Sequence, residues 1–410
     1  MREPRVDLNS ALAPAPGPIQ SSVVPDIRVA SNGRGGRGTS PQHRTLLAPA
    51  EHQLADMPAG PPILIVAVDT ESEFDWNGPF LRSQTSVRNV RNQSMAQEIY
   101  DRFGVRPIYL VDYAVAMQPE AYLPLREIFH SRRCEIGAHL HPWITPPFLE
   151  ELSPRASFSQ NLPVSLQRAK LTELTEAIER SFDFRPLCYR AGRLGVGEEI
   201  ADLLQSLGYQ IDMSVLPGID MRPIHGPDFR RGLDRPYWFG QDLSLLEIPA
   251  TPCFAGLLAA RALPKSVSIE LYDQLARPPF DRLRMRGVFA RLGLLEWLPP
   301  TPEGVTISEL HRLMRAFLSR RHRVFVLSYH SSSLLPGSTE YVRSQSDLSD
   351  FLGRIEQFLD FFIGKLGGIS MTPSEVRAVL PQGQQRYPSL PEHQQQPAAK
   401  TRLDGAGSAG

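Results

Sequence analysis

Residues 63–71 read Ile63-Leu64-Ile65-Val66-Ala67-Val68-Asp69-Thr70-Glu71, an unbroken apolar run that ends in two carboxylates. Its length and bulk suit a strand buried on both faces, as in a parallel sheet covered by helices. In parallel α/β folds, active sites collect at the C-terminal ends of the strands. Positions i and i+2 of an extended chain point to the same side. Asp69 and Glu71 can therefore address one locus, one binding a metal while the other works as a base. Acidic residues at strand ends also cap the following element or meet an arginine, and Glu73 and Asp75 are expected to do only that.

Outward from this run, further strand candidates are 108–111, 135–138, 187–190, 211–215, 245–248, 324–329 and 369–371. Helical stripes separate them. Leu171, Leu174, Ile178 and Phe182 recur at steps of three and four, as do Ile200, Leu203, Leu204 and Leu207, with Gly208 placed as a C-terminal cap. A longer stripe from Leu348 to Leu366 ends at Gly367-Gly368. Alternating strands and helices predict an α/β architecture with parallel strands, either an open doubly wound sheet or a barrel. Residues from about 220 to 310 fit the alternation poorly and read as an insertion or lid, rich in proline and carrying Arg282, Arg284, Arg286 and Arg291.

Polar residues recur at the same address, just after a buried strand. Glu135-Ile-Gly-Ala-His139-Leu-His141-Pro-Trp143 places two imidazoles on one side of an extended chain, a common way to grip zinc. Val324-Phe-Val-Leu-Ser-Tyr-His330 ends a strongly apolar strand in a histidine followed by three serines. In Leu187-Cys-Tyr-Arg190, a guanidinium could hold Asp69 ionised and oriented. Asp212 interrupts a fifth strand and is expected to orient Arg190 or another active-site group. A lone histidine, arginine or aspartate is usually structural; the repetition of the address makes coincidence a strained account. His130, His225, His311 and His322, with His43, His52 and His393, follow no strand candidate and are expected at the surface. Trp76, Trp143 and Trp238 could face a sugar ring, although large aromatics are more often core.

The ordered set AVDTE (67–71), EIGAHLHPW (135–143), YRAGRLG (189–195), IDMSV (211–215) and LSYHSSSLLPG (327–337) resembles polysaccharide deacetylases of the NodB-homology class, also described as family 4 carbohydrate esterases, in the branch with an H-x-H-P-W signature. The resemblance covers residues from about 62 to 375. It implies a distorted (β/α)7 barrel holding one divalent metal, of the zinc type, that removes an N- or O-acetyl group from an acetylated carbohydrate. It further implies Asp69 as general base, Glu71, His139 and His141 as metal ligands, Arg190 as the base-orienting arginine and His330 as general acid. Two departures stand out: Thr70 separates an acidic pair that is usually adjacent, and Trp143 occupies the place of the family's second histidine, leaving that role to His141.

Composition narrows the remaining possibilities. Lys plus Arg and Asp plus Glu both total 44, which leaves no net field to draw nucleic acid or an anionic membrane. Cys134, Cys188 and Cys253 are odd in number and widely spaced, as expected of packed thiols rather than a disulfide framework or thiolate zinc site. Neither a secretory h-region nor a membrane span is apparent, so a cytoplasmic location is the default expectation. Residues 1–58 and 380–410 carry too little apolar surface to fold and are expected to be disordered, flanking a catalytic domain over 60–378. Two other readings fit the same residues: a related C–N amide hydrolase acting on a small substrate, and a non-catalytic glycan-binding protein on the same barrel.

Overall fold

The computed structural model describes residues 45–381 apart from 77, 261–264 and 281. Among these residues eleven strands form: β1 Ile63–Thr70, β2 Ile108–Val111, β3 Glu135–Leu140, β4 Cys188–Ala191, β5 Ile211–Asp212, β6 Tyr237–Phe239, β7 Leu245–Glu247, β8 Cys253–Ala255, β9 Glu296–Leu298, β10 Val324–His330 and β11 Ile369–Ser370. The main sheet runs β10-β1-β2-β3-β4-β5-β7-β6. Every neighbouring pair from β10 to β7 is parallel, and only β6 returns antiparallel. β11 pairs with the first residues of β1, below the point where β2 joins.

The sheet curls into an incomplete barrel. Arg190 on β4 donates to Asp69 at the end of β1 at 2.8 Å and to Ser328 on β10 at 3.3 Å. In a flat sheet three strand spacings of about 4.8 Å would hold β4 about 14 Å from β1, beyond an arginine's reach. The edge of β10 is not closed by β7. Instead Thr251 Oγ1 accepts from Val326 N at 3.0 Å and the Pro300 carbonyl accepts from Ser328 N at 3.0 Å.

Period-2 alternation divides β1 between two cores. Leu64, Val66 and Val68 join the large cluster beneath the helices, whereas Ile63, Ile65 and Ala67 join a smaller cluster inside the barrel with Ile108, Leu110, Cys188, Ile211, Leu246, Val324 and Val326. Both faces of the strand are thus apolar, as its unbroken hydrophobic run requires. Helices Gln93–Phe103, Pro119–His130, Val164–Phe182, Ile307–Ser319 and Gln345–Leu359 cover the outside. No helix among the described residues is long and apolar enough to cross a membrane.

Three expectations shift. Residues 45–58 pack onto the body: Leu46 is buried, its amide donates to Glu198 and its carbonyl accepts from Tyr237 Oη, and Gln53 is buried against the Trp238 carbonyl. Disorder expected up to residue 58 therefore does not hold for 45–58, while 1–44 and 382–410 lie outside the described residues. The poorly patterned stretch 220–310 is not one insertion, because β6 and β7 extend the main sheet before the β8–β9 hairpin and its short helices leave it. His322, expected at the surface, is buried against Phe317 with Asp234 Oδ1 3.2 Å from its Nε2, and His311 packs on Phe361.

Candidate active site

The parity that places Ile63, Ile65 and Ala67 inside the barrel continues through Asp69 and Glu71. On β3 the outward residues are Ile136, Ala138 and Leu140, which sends His139 and then His141 inward; on β4 Tyr189 and Ala191 face out and Arg190 in; on β10 Phe325, Leu327 and Tyr329 face out, Ser328 and His330 in. Asp69, Glu71, His139, His141, Arg190 and His330 meet at the C-terminal mouth, on the floor of a cleft of about 2470 Å³. Its walls come from 216–225, 272–312 and 340–357.

Glu71, His139 and His141 form one buried donor set, with ligand atoms within 4.8 Å of one another. Glu71 Oε2 lies 3.4 Å from His139 Nε2 and 3.2 Å from His141 Nε2. Tetrahedral ligands held about 2.0–2.1 Å from zinc stand about 3.3–3.4 Å apart, so this spacing fits an ion of that size. The tautomers fit as well. His139 Nδ1–H donates to the Arg190 carbonyl at 3.2 Å, which leaves Nε2 as the ring nitrogen facing Glu71. Asp112 Oδ2 lies 3.7 Å from His141 Nδ1, and Glu71 Oε1 is buried without a hydrogen-bond partner. A buried carboxylate with one oxygen bare and the other beside two imidazole nitrogens is what a divalent cation would satisfy.

Charge sets the protonation states. Burial opposes ionisation of Glu71, but hydrogen bonds from His139 and His141 outweigh it and hold the carboxyl far below the usual range. Burial lowers His141, while Asp112 and Glu71 outweigh that and raise it to about 9. For Asp69, burial is overcome by the Arg190 guanidinium and by His139 and His330, leaving the carboxyl below its ordinary value. Arg190 itself is fixed on three sides: Nε donates to the Met213 carbonyl at 3.0 Å, Nη1 to Asp69 Oδ1 at 2.8 Å and both terminal nitrogens to Ser328 Oγ at 3.3 Å.

Across the cleft, His330 Nδ1–H donates to Glu303 Oε2 at 3.0 Å, and its backbone N–H donates to Oε1 at 3.1 Å. Its Nε2 is left 3.9 Å from Asp69 Oδ2, and Trp76 packs edge-on against the ring at 4.4 Å. Burial pulls the imidazole pKa down, and the Glu303 carboxylate outweighs it, raising it to about 10. The serines after His330 steady the opposite wall: Ser331 Oγ accepts from Glu71 N at 3.0 Å and from Asn89 Nδ2 at 3.1 Å.

Asp212 is not brought into the cleft. Its neighbours Ile211 and Met213 face the barrel interior, so it faces outward beside Glu247, its partner across β5 and β7. Burial raises Asp212, and burial with the Asp212 charge raises Glu247 well above the usual range, the behaviour of two carboxyl groups sharing a proton. Asp212 accepts from Ser214 Oγ, which in turn accepts from Ala191 N at 2.9 Å, so its link to Arg190 runs through the backbone of β4. Glu73 pairs with Arg88 at 2.8 Å and accepts from Asn89 N, as expected of a structural carboxylate. Trp143 is core, stacked on His141 at 4.4 Å, and Trp238 is buried.

Two residues at the site were missed. Asp112 directly follows the strand candidate 108–111 and has the very address that singled out Asp69, His139 and His330; applying that criterion throughout would have found it. Glu303 lies in the irregular stretch before the helix Ile307–Ser319, where no periodicity marks it.

No protein-family model and no curated protein matches the chain. Solved structures similar to it include a candidate polysaccharide deacetylase from Mycobacterium smegmatis, at 17% identity over 87% of this chain and 99% of that one, with a TM-score of 0.47. A family 4 carbohydrate esterase from Streptomyces lividans in complex with acetate is similar at 9% identity over 78% of this chain and 96% of that one, with a TM-score of 0.37. A peptidoglycan deacetylase from Bacillus subtilis is similar at 11% identity over 78% of this chain and 91% of that one, with a TM-score of 0.34.

Proposed function

We propose that this chain is a metal-dependent hydrolase that removes an acetyl group from an acetylated carbohydrate. The observation that carries this reading is the meeting, on one cleft floor, of a carboxylate clamped by arginine, an imidazole clamped by a carboxylate and a buried Glu-His-His donor set. Glu71 Oε2, His139 Nε2 and His141 Nε2 would hold one divalent ion, zinc being suited to such ligands, to supply Lewis acidity toward a water and the acetyl carbonyl.

The chain's own residues supply the proton transfers. Arg190 occupies Asp69 Oδ1 and leaves Oδ2 to accept the proton of the attacking water. Glu303 fixes His330 so that its Nε2 proton faces the cleft, ready for the sugar amine or alkoxide as the bond to the acetyl carbon breaks. One group kept ionised by a cation and another kept protonated by an anion form an acid–base pair with separated pKa values.

The test is acetate release from a panel of N- and O-acetylated sugars, measured beside metal content. Metal-loaded protein should release acetate, and Asp69→Asn should lower turnover by roughly 10²–10⁴ while retaining the metal. Protein that binds an ion yet releases acetate from none of the panel would overturn the acetyl assignment. Protein that takes up no divalent ion would overturn the mechanism.

A further inference from the structure

Arg193 is the feature of the cleft that the proposed chemistry does not use. It lines the same cleft as Asp69 and His141 and is partly buried. Its guanidinium lies between two aromatic rings, 4.1 Å from the Phe158 centroid and 5.0 Å from that of Phe80. Nη1 donates to Ser157 Oγ, whose own proton goes to the Pro154 carbonyl. Among the described residues no carboxylate lies within 4.0 Å of it.

Three other arginines of the cleft have anionic partners, Arg190 with Asp69 at 2.8 Å, Arg312 with Glu296 at 2.9 Å and Arg286 with Asp273 at 3.9 Å, while Arg284, Arg291 and Arg343 are exposed to water. Arg193 is instead desolvated without a counter-charge, and burial alone pulls its pKa down to about 10. Such a cation is costly to bury, and the backbone adds strain, because Arg193 and Leu194 both take left-handed conformations at φ 53° and 58°.

Its position relative to the metal donors is fixed. Gly192 packs so closely on His141 that a Cβ there would overlap the ring. Phe80 packs on Trp143 at 4.8 Å, and Trp143 stacks on His141 at 4.4 Å. The aromatic layer that backs the imidazole ligand therefore also holds the guanidinium, which keeps most of its five donors for something else.

We infer that Arg193 binds an anionic substituent, a carboxylate or a phosphate, on the acetylated sugar or its immediate neighbour. This makes the substrate class an acidic acetylated carbohydrate. It rests on the sugar-binding reading of the cleft but not on turnover. A planar fork preorganised between rings suits bidentate recognition of either oxyanion.

The experiment is calorimetric titration of the metal-loaded Asp69→Asn protein with N-acetylglucosamine, N-acetylglucosamine 1-phosphate and N-acetylmuramic acid. Binding is thereby read separately from catalysis. An anionic probe should bind roughly tenfold to a hundredfold tighter than the neutral one, the worth of charge-assisted hydrogen bonds. Arg193→Gln should bring that ratio to about one, and Arg193→Lys, which keeps the charge without the fork, to an intermediate value. Preference for only one anionic probe identifies phosphate or carboxylate as the partner. Equal affinity for all three probes would overturn the inference without any variant, as would an undiminished preference in Arg193→Gln. A failure of acetate release with the anion preference intact would overturn the deacetylase reading alone.

Discussion

Glu303 holds His330 at both its side-chain and backbone nitrogen, and its negative charge raises the imidazole to about 10. A general acid acts only while protonated, so activity is lost as pH rises through its pKa. Glu303→Gln keeps an acceptor and removes the charge; the alkaline limb of kcat/KM should move down by a pH unit or more, as a pH–rate profile would show. Asp112 makes a comparable contribution on the metal side. It accepts from Ser72 N at 2.7 Å and Val115 N at 2.8 Å while facing His141 Nδ1. Asparagine also caps helices well, so Asp112→Asn should leave the fold largely intact. Metal affinity, measured by competition with a chelator, should fall about 10–100-fold, the usual cost of losing a partner behind a ligand. Unchanged affinity would show that Asp112 serves only as a cap.

At the scale of elements, the turn after β4 is the tightest part of the site. Gly192 stands where any Cβ would overlap the His141 ring and the Leu140 carbonyl, two groups that cannot both retreat. Gly192→Ala should therefore displace the imidazole or the turn, weakening metal binding at least as much as Asp112→Asn and costing about 1–3 kcal/mol of stability, typical of overpacking. Denaturation with and without metal separates the two effects: a variant with wild-type stability and affinity would mean that the turn moves freely. The element also shows what the sequence can and cannot reveal. YRAGRLG marks the place as special, and Arg190 follows a buried strand legibly. The close approach of Gly192 to His141 joins residues far apart in sequence, and no spacing records it.

For the whole molecule, the barrel is closed on one side by side chains and loop carbonyls rather than by a strand ladder. Thr251 Oγ1, accepting from Val326 N inside the body, is one such link. Thr251→Val preserves shape and removes the acceptor, leaving a buried N–H without a partner, at about 1–3 kcal/mol. A melting temperature lowered by several degrees is expected, and an unchanged one would mean that the seam is held by Pro300 alone. His330 and Asp69 sit on directly paired strands, β10 and β1, away from this seam, so turnover at temperatures where the variant stays folded should change little.

The strands bearing chemistry were legible in the sequence because each is a bulky apolar run ending in a polar residue, and period-2 parity settles which side chains share a face. Asp69, Glu71, His139, His141, Arg190 and His330 follow from that rule together with the family resemblance. Asp212 shows its limit: a polar break within a strand looks alike whether it faces the barrel or the outer layer, and only the packed neighbours Ile211 and Met213 decide. Glu303 and the uncompensated Arg193 lay further beyond reach. Their significance comes from what surrounds them in space, a histidine from another strand in one case and two aromatic rings without a carboxylate in the other. Local pattern determined the strands and their facing; burial and charge at close range, which depend on how the sheet curls, decided the partners.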